Sequence, residues 1–317
     1  MKKVHVLGAG HAGLIAAQML RREGFEVCVH EIQPTLPLNH ASVLRFRTDA
    51  LQKALGVPLK KVRVIKDVID SCGSPLRDAL AYSFKVTGEY RTDRSVPTKP
   101  EIVERYVHEG NLSECLSKGL DIEYNVDALS PSFCYGNDPV VSTLPMPVTF
   151  GPYKTSAEFK KELTCCITAI VQGMCAYASA YVVNPDSFIS RINLTGNMIQ
   201  VDLIKDFKFP KSTSSAIEWI VTESLEHLGI DLLFSDVRVH EAGVKLLPID
   251  ERERKRIIMR LTDEIGFYSV GRHATWRPKL LLDDVVDDVR KVIMMINGYD
   301  NKLVNAKDYA NGKAERV

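Results

Sequence analysis

The stretch Val6-Leu7-Gly8-Ala9-Gly10-His11-Ala12-Gly13, continuing through Ala17, Leu20, Gly24, Val27 and Val29 to Glu31, has the residue types and spacing to hold a dinucleotide. Gly8 permits a tight turn, Gly10 lets backbone approach a pyrophosphate, and Gly13 lets a helix lie close on a sheet. The first turn of that helix offers N–H groups and the positive end of its dipole to the diphosphate. Glu31 stands 23 residues after Gly8, at the end of a second strand. A carboxylate there accepts hydrogen bonds from ribose hydroxyls and disfavours a 2′-phosphate, so FAD or NAD fits and NADP does not. His11 falls inside the loop, either beside the phosphates or exposed to solvent. Cys28 and His30 alternate with Val27 and Val29 and read as packing residues.

A second constellation is Phe267-Tyr268-Ser269-Val270-Gly271-Arg272-His273-Ala274-Thr275-Trp276, followed by a helix that opens on Asp283 and Asp284. Gly271 would let backbone near a ligand, and Arg272 could hold an anion or an electron-rich ring edge. Acids in the first turn suit the positive helix end, and a capped surface helix accounts for the same residues equally well. Other side chains able to do chemistry are scattered. His40 is a candidate base, with a structural or exposed role open beside it. Arg45 and Arg47 either clamp a phosphate or carboxylate or stand solvated. Tyr90-Arg91-Thr92-Asp93-Arg94 puts two arginines and an aromatic in a turn, a pattern for anion recognition. His40, Arg45 and Tyr90 are therefore the expected catalytic side chains. Arg47, Arg91, Arg94, Tyr177, Tyr181 and Arg191 are the expected substrate-binding ones, against a core role for the tyrosines. No Ser/His/Asp order or Walker loop is present, and the seven cysteines show no CxxC spacing. Reduced, buried thiols follow; no metal is expected.

The elements that must position these residues can be read from periodicity and punctuation. Lys3 to Leu7 and Phe25 to His30 are strands flanking a helix from Leu14 to Arg22. Lys61 to Val68 alternates as a half-buried strand, and Tyr82 to Arg91 reads as another. Pro100 to Glu109 reads as a short helix with proline in its first turn. Val140 to Leu144, bounded by Asp138-Pro139 and Pro145, suits a buried parallel strand. Ser187 to Leu194 and Met198 to Leu203 form a hairpin about Thr195-Gly196-Asn197. Ser215 to Leu228 and Leu281 to Ile296 are helices, and Gly266 to Val270 is a late strand.

With 317 residues, 45% hydrophobic and 26% charged, the chain can bury the core of one large or two intimate domains. No apolar run reaches the roughly 18 residues of a membrane span, so no membrane partner and a cytoplasmic location are expected. A net charge of +1 argues against a whole-protein hold on nucleic acid. The clusters Lys60-Lys61-Val62-Arg63-Val64-Ile65-Lys66 and Arg252-Glu253-Arg254-Lys255-Arg256 are solvated faces or local phosphate contacts.

At the two glycine segments, and at Val140-Val141-Ser142-Thr143-Leu144-Pro145, the chain resembles the flavoproteins related to UDP-galactopyranose mutase and the amine oxidases, a group with compact, phage-encoded members. The resemblance implies an α/β fold: a Rossmann-type FAD-binding domain (1–147 and 262–300), an inserted strand-rich α+β substrate domain (148–261) and a loosely held tail (301–317). It implies FAD, with Gly8, Ala9, Gly10, His11, Gly13 and Glu31 on the ADP half. Gly271, Arg272, Thr275 and Trp276 would cover the ribityl and flavin. The Gly-Gly doublet usual after the ribose-binding acid is replaced by Pro34-Thr35-Leu36-Pro37-Leu38-Asn39-His40-Ala41-Ser42. The implied activity is that of an FAD-dependent oxidoreductase or lyase acting on a polar amine-containing substrate. An amino-acid-modified thymidine, free or within DNA, is the specific expectation. A nucleotide-sugar mutase and a non-catalytic dinucleotide-binding module are the alternatives.

Overall fold

The computed structural model describes residues 2–36, 45–91, 96–130, 133–151, 155–204, 207–208 and 213–310. In chain order the first half runs β1 (Lys3–Leu7), α1 (His11–Arg22), β2 (Glu26–Glu31), α2 (Ala50–Leu55), β3 (Lys60–Ile69), α3 (Pro75–Thr87), β4 (Glu101–Val107), α4 (Leu112–Ser117), β5 (Asp121–Tyr124), β6 (Val140–Ser142) and α5 (Met146–Phe150). The second half runs β7 (Lys161–Val171), β8 (Ala176–Val182), β9 (Ile189–Gly196), β10 (Met198–Leu203), α6 (Thr213–Glu226), β11 (Phe234–Leu246), α7 (Glu251–Ile265), β12 (Phe267–Ser269) and α8 (Leu282–Ala310).

Two sheets organise these elements. The first is five-stranded, ordered β12-β6-β1-β2-β5, and every neighbouring pair is parallel. The alternation along β1 explains its layers. Val4 and Val6 face α1 and α8, meeting Leu14, Val285, Val289 and Val292 in one core. Leu7 faces the other way, into a second core with Met146, Phe150, Ile257, Leu261 and Trp276. Helix α7 therefore packs on this sheet, although most of it falls inside the expected substrate domain (148–261). Helix α8 continues to Ala310, into the expected tail, and residues 311–317 lie outside the described ones.

The second sheet has seven strands in the order β11-β7-β10-β9-β8-β3-β4, with β3–β8 parallel and the other pairs antiparallel. The hairpin of β9 and β10 forms with Met198 opposite Thr195, as its turn residues predict. Strands β3 and β4 lie here and not in the parallel sheet, so the strand-rich unit also draws on residues within 1–147.

Two expectations are corrected. Residues 101–107 form a strand, not a helix, paired with β3 from Lys66 opposite Glu101 to Lys60 opposite Val107. Tyr82 to Thr87 belong to helix α3, whose Ser74 side chain accepts from the Arg77 amide and whose end is Gly88 at φ 71°. Tyr82 and Val86, one turn apart, share its buried face.

Candidate functional site

Parallel strands bring their carboxyl ends to one edge, where open α/β sheets build their sites. Here that edge joins Leu7, Glu31 and Ser142, and main-chain hydrogen bonds knit it: Gly8 N–H to His30 O, Thr143 N–H to Leu7 O, Val270 N–H to Ser142 O. Each glycine in the turn then has a distinct cause. Gly8 sits at φ 92°, in the left-handed region. A Cβ on Gly13 would lie 1.9 Å from the Gly8 carbonyl oxygen, so the α1 helix can approach the turn only with glycine there. Gly10 is different. Its backbone (φ −67°, ψ 171°) suits any residue, and nothing lies within 4 Å of where its Cβ would be. Neither the fold nor the packing requires glycine at this position, and the free space is what an approaching pyrophosphate needs.

The α1 N-terminus behind that space has no side-chain cap and no acid in its first turn, which leaves its dipole uncompensated. Glu31 is buried; its Oε2 accepts from the Ala9 amide at 2.6 Å and its Oε1 from the Gln33 amide at 2.9 Å. Each carboxylate oxygen has further lone-pair capacity for a ribose hydroxyl. The late segment closes on this edge as the sequence suggests: a Cβ on Gly271 (φ 90°) would meet Ala12 Cβ at 2.8 Å. The turn is thus gripped between its own strand and the Gly271 loop. These features fit the ADP half of a dinucleotide.

Several expected cofactor residues have structural duties. His11 is buried and its Nε2 meets Ser113 Oγ at 3.1 Å, tying α1 to α4, so it is not solvent-exposed. Thr275 Oγ1 donates to Gly271 O at 2.6 Å and holds the loop's shape. Trp276, at φ 46°, is 2% exposed; its Nε1 donates to Leu247 O and its ring meets Phe159 edge-on. The indole is a strut of the second core. Arg272 is half-buried beside it. Thr143, which the sequence marks only as part of a strand, donates its Oγ1–H to Leu7 O at 2.7 Å and braces the glycine turn. Its place one residue beyond the end of a parallel strand was the signal.

The expected catalytic and substrate residues do not form one cluster. His40 and Arg94 lie outside the described residues. Arg45 reaches from the segment beyond Glu31 onto the second sheet, where Nε donates to Thr195 Oγ1, Nη1 to Ser179 Oγ, and Nη2 to the carbonyls of Ala178 and Leu194. All these acceptors are neutral. Burial, reinforced by Arg191 and Arg105, pushes the guanidinium down to about 10, so it remains a cation, and among the described residues no carboxylate pairs with it. Next to it Phe46 bridges the edge of β4 through Tyr106. Tyr177 and Tyr181 are half-buried near Arg45, and Tyr181 also packs edge-on against Tyr82. Arg191 is committed to Asp202, with Nε and Nη2 at 2.8 and 2.5 Å. Burial opposes ionisation of Asp202, but the guanidinium holds it below the usual carboxylate range.

Three further candidate side chains have partners of their own. Arg47 makes a two-pronged bond to Asp284, both at 2.9 Å, while its amide donates to Asp283, which anchors the chain to the start of α8. Tyr90 is 70% exposed and stacks on Phe84. Arg91 pairs with Glu89 at the lip of a cleft of about 550 Å³ whose walls carry both Lys160, Arg252 and Arg256 and the acids Glu158 and Glu253. That cleft does not include the glycine turn, which opens at the sheet's edge instead.

Comparison with known proteins agrees with this geometry. No family model matches the chain. A solved structure of reduced UDP-galactopyranose mutase superposes with a TM-score of 0.62 at 13% identity, over 94% of each chain. A protein assigned as a protoporphyrinogen oxidase, from Exiguobacterium sp. 255-15, gives 0.56 at 13% identity over 93% of this chain and 98% of that one. Aklavinone-11 hydroxylase, solved with FAD and aklavinone, gives 0.52 at 14% identity over 94% of this chain and 63% of that one. In sequence, the methylenetetrahydrofolate–tRNA-(uracil-5-)-methyltransferase TrmFO of Lactobacillus delbrueckii subsp. bulgaricus is 28% identical over 134 residues. That match spans 38% of this chain and 30% of the methyltransferase. The chain has the α/β flavoprotein fold of UDP-galactopyranose mutase and its structural relatives, as the two glycine segments predict. No described helix is long and apolar enough to cross a membrane.

Proposed function

We propose that this chain is an FAD-dependent enzyme that oxidises or cleaves a small, polar, amine-bearing substrate with an acidic group. The observation that carries the reading is Gly10. It is a glycine without conformational or packing cause, set before an uncapped helix N-terminus, with Glu31 and the Gly271 loop on either side. Gly8, Gly10 and the first turn of α1 would hold the diphosphate, and Glu31 the adenosine ribose. The bound flavin supplies a ring that accepts and returns electrons; the protein binds, orients and keeps water away. Arg45 supports the acidic group on the substrate. A half-buried cation whose described acceptors are all neutral is favoured by an incoming carboxylate or phosphate. An amino-acid adduct of thymidine has such a carboxylate together with an amine.

The purified protein is expected to be yellow and to release FAD on denaturation. Anaerobic addition of the correct amine should bleach the flavin. A colourless protein that ignores FAD and binds NAD would overturn the reading. A nucleotide-sugar mutase is the second reading, favoured by a superposition that covers 94% of both chains. It requires reduced flavin and consumes no acceptor, so turnover only after reduction, with no net oxidation, would select it.

A further inference from the structure

The face of the parallel sheet that carries Leu7 also carries polar groups that the cofactor reading does not use. Cys28 and His30 on β2, His5 on β1 and Glu123 on β5 share this face, with His5 in register with Cys28 and His30 with Glu123. Phe133 and Tyr135 pack edge-on against His5 and His30, while Glu123 stands exposed at the rim. His5, Cys28 and His30 are each at most 5% exposed.

These groups form a line. Glu123 Oε2 lies 2.9 Å from His30 Nδ1, His30 Nε2 lies 2.8 Å from His5 Nδ1, and His5 Nε2 lies 3.5 Å from Asp138 Oδ2. That is three contacts between two carboxylates and two imidazoles. A neutral imidazole has one N–H, so two protons must serve three contacts. One contact is left with lone pair against lone pair unless a third proton or a cation enters. A third proton would bury an imidazolium under two aromatic rings, at a cost in desolvation. The geometry marks the deficient contact: His30 Nδ1 is buried and makes no hydrogen bond in line, although Glu123 is near. Beside it stands the Cys28 thiol, and the Cys28, His30 and Glu123 ligand atoms all lie within 4.8 Å of one another.

We propose that Cys28, His30 and Glu123 bind a divalent cation of the zinc class. Sulfur, imidazole nitrogen and carboxylate oxygen form a mixed set suited to that borderline-soft ion. With the ion on Nδ1, the proton count closes: His30 Nε2–H donates to His5, and His5 Nε2–H donates towards Asp138. That chain is the supporting shell that metal-bound imidazoles commonly have. Binding exchanges the S–H bond of Cys28 for an S–metal bond, and the thiol proton leaves to solvent. Asp121, the register neighbour of Cys28 on β5, or a water can take the fourth position. The ion would fasten β5, a four-residue edge strand, to β2.

The test is equilibrium dialysis of the chelator-stripped full-length protein against zinc, with metal content measured by elemental analysis and the site by zinc-edge X-ray absorption. Neither readout depends on flavin, so failure here is separate from failure of the function proposed above. One zinc per chain is expected, with a single sulfur at about 2.3 Å and N/O ligands at about 2.0 Å. Cys28→Ser should remove the sulfur shell, whereas Cys166→Ser on the second sheet should leave it. Asp138→Asn, partly exposed and outside the ligand set, should weaken binding by about 10-fold. No stoichiometric zinc, or a sulfur shell that survives Cys28→Ser, overturns the proposal.

Discussion

Gly10 and Gly13 differ by three positions in sequence and wholly in physical cause, and that difference is measurable. Gly13→Ala drives a Cβ to 1.9 Å from a backbone oxygen, which only movement of α1 relieves. It should lower stability by several kcal/mol, as overpacking against a rigid partner does, and should lose flavin as a consequence. Gly10→Val places its side chain in open space on a backbone that tolerates it. Compared in the FAD-free state, its urea midpoint should stay near wild type while FAD retention is lost, because the valine stands where the pyrophosphate must come. A Gly10→Val protein that keeps its flavin would remove the site. Glu31→Ala is expected to be intermediate. It loses charge-assisted hydrogen bonds worth about 1.5–3 kcal/mol, read as roughly 10- to 100-fold weaker FAD binding. The tight turn at Gly8, the close helix approach at Gly13 and the place of Glu31 beside them were legible because each follows from spacing alone. Those of Trp276, Arg47 and Arg191 were not, since their partners Leu247, Asp284 and Asp202 come from other elements.

At the scale of elements, the parallel βαβ start, the β9–β10 hairpin and the returning β12–α8 segment were legible in local pattern. Over 82–91 and 100–109 the local signals mislead in opposite ways. Pro100 suggests a helix start, but Ile102-Val103 and Tyr106-Val107 are β-prone, and β3 supplies a full partner. Ser74-Pro75 and Gly88 bracket a helix that a reading begun at Tyr82 misses. The membership of β3 and β4 in the second sheet was not legible at all, because pairing with β8 spans more than a hundred residues of chain. Helix α3 is held to that sheet by Lys85, whose ammonium donates to the carbonyls of Val182, Asn184 and Ile189 at 2.7–2.9 Å. Lys85→Met should cost on the order of 3 kcal/mol, since it strands buried acceptors that cost about 1–3 kcal/mol each when unmade. The measurement is a urea midpoint with flavin content scored separately. Wild-type stability in Lys85→Met would show that these carbonyls find water.

Over the whole molecule, charge decides between a free small substrate and one embedded in DNA. The basic run on β3 faces its own antidote: Lys60 pairs with Glu109 at 2.8 Å, Lys61 with Glu104 at 2.7 Å and Lys66 with Glu101 at 3.1 Å. On α7, Arg254 and Lys255 share Glu251, Arg256 holds Glu253, and Arg260 holds Glu264. In these two clusters the described ion pairs leave little cationic surface for a phosphate backbone. Exposed pairs are worth only about 0–1 kcal/mol each, so DNA could in principle open them. The salt response distinguishes the cases. Each phosphate neutralised contributes about 0.9 to the slope of log affinity against log salt, so three or four contacts would weaken binding on the order of 50-fold between 50 and 200 mM salt. The paired faces predict a nearly flat response to duplex DNA instead. Charge reversal of Lys60, Lys61 and Arg63 to glutamate should change neither bound flavin nor turnover on a free substrate. A slope near −3 that the triple variant abolishes would show that the pairs open for DNA, and the acidic group meeting Arg45 would then belong to an adduct on a polymer rather than to a free molecule.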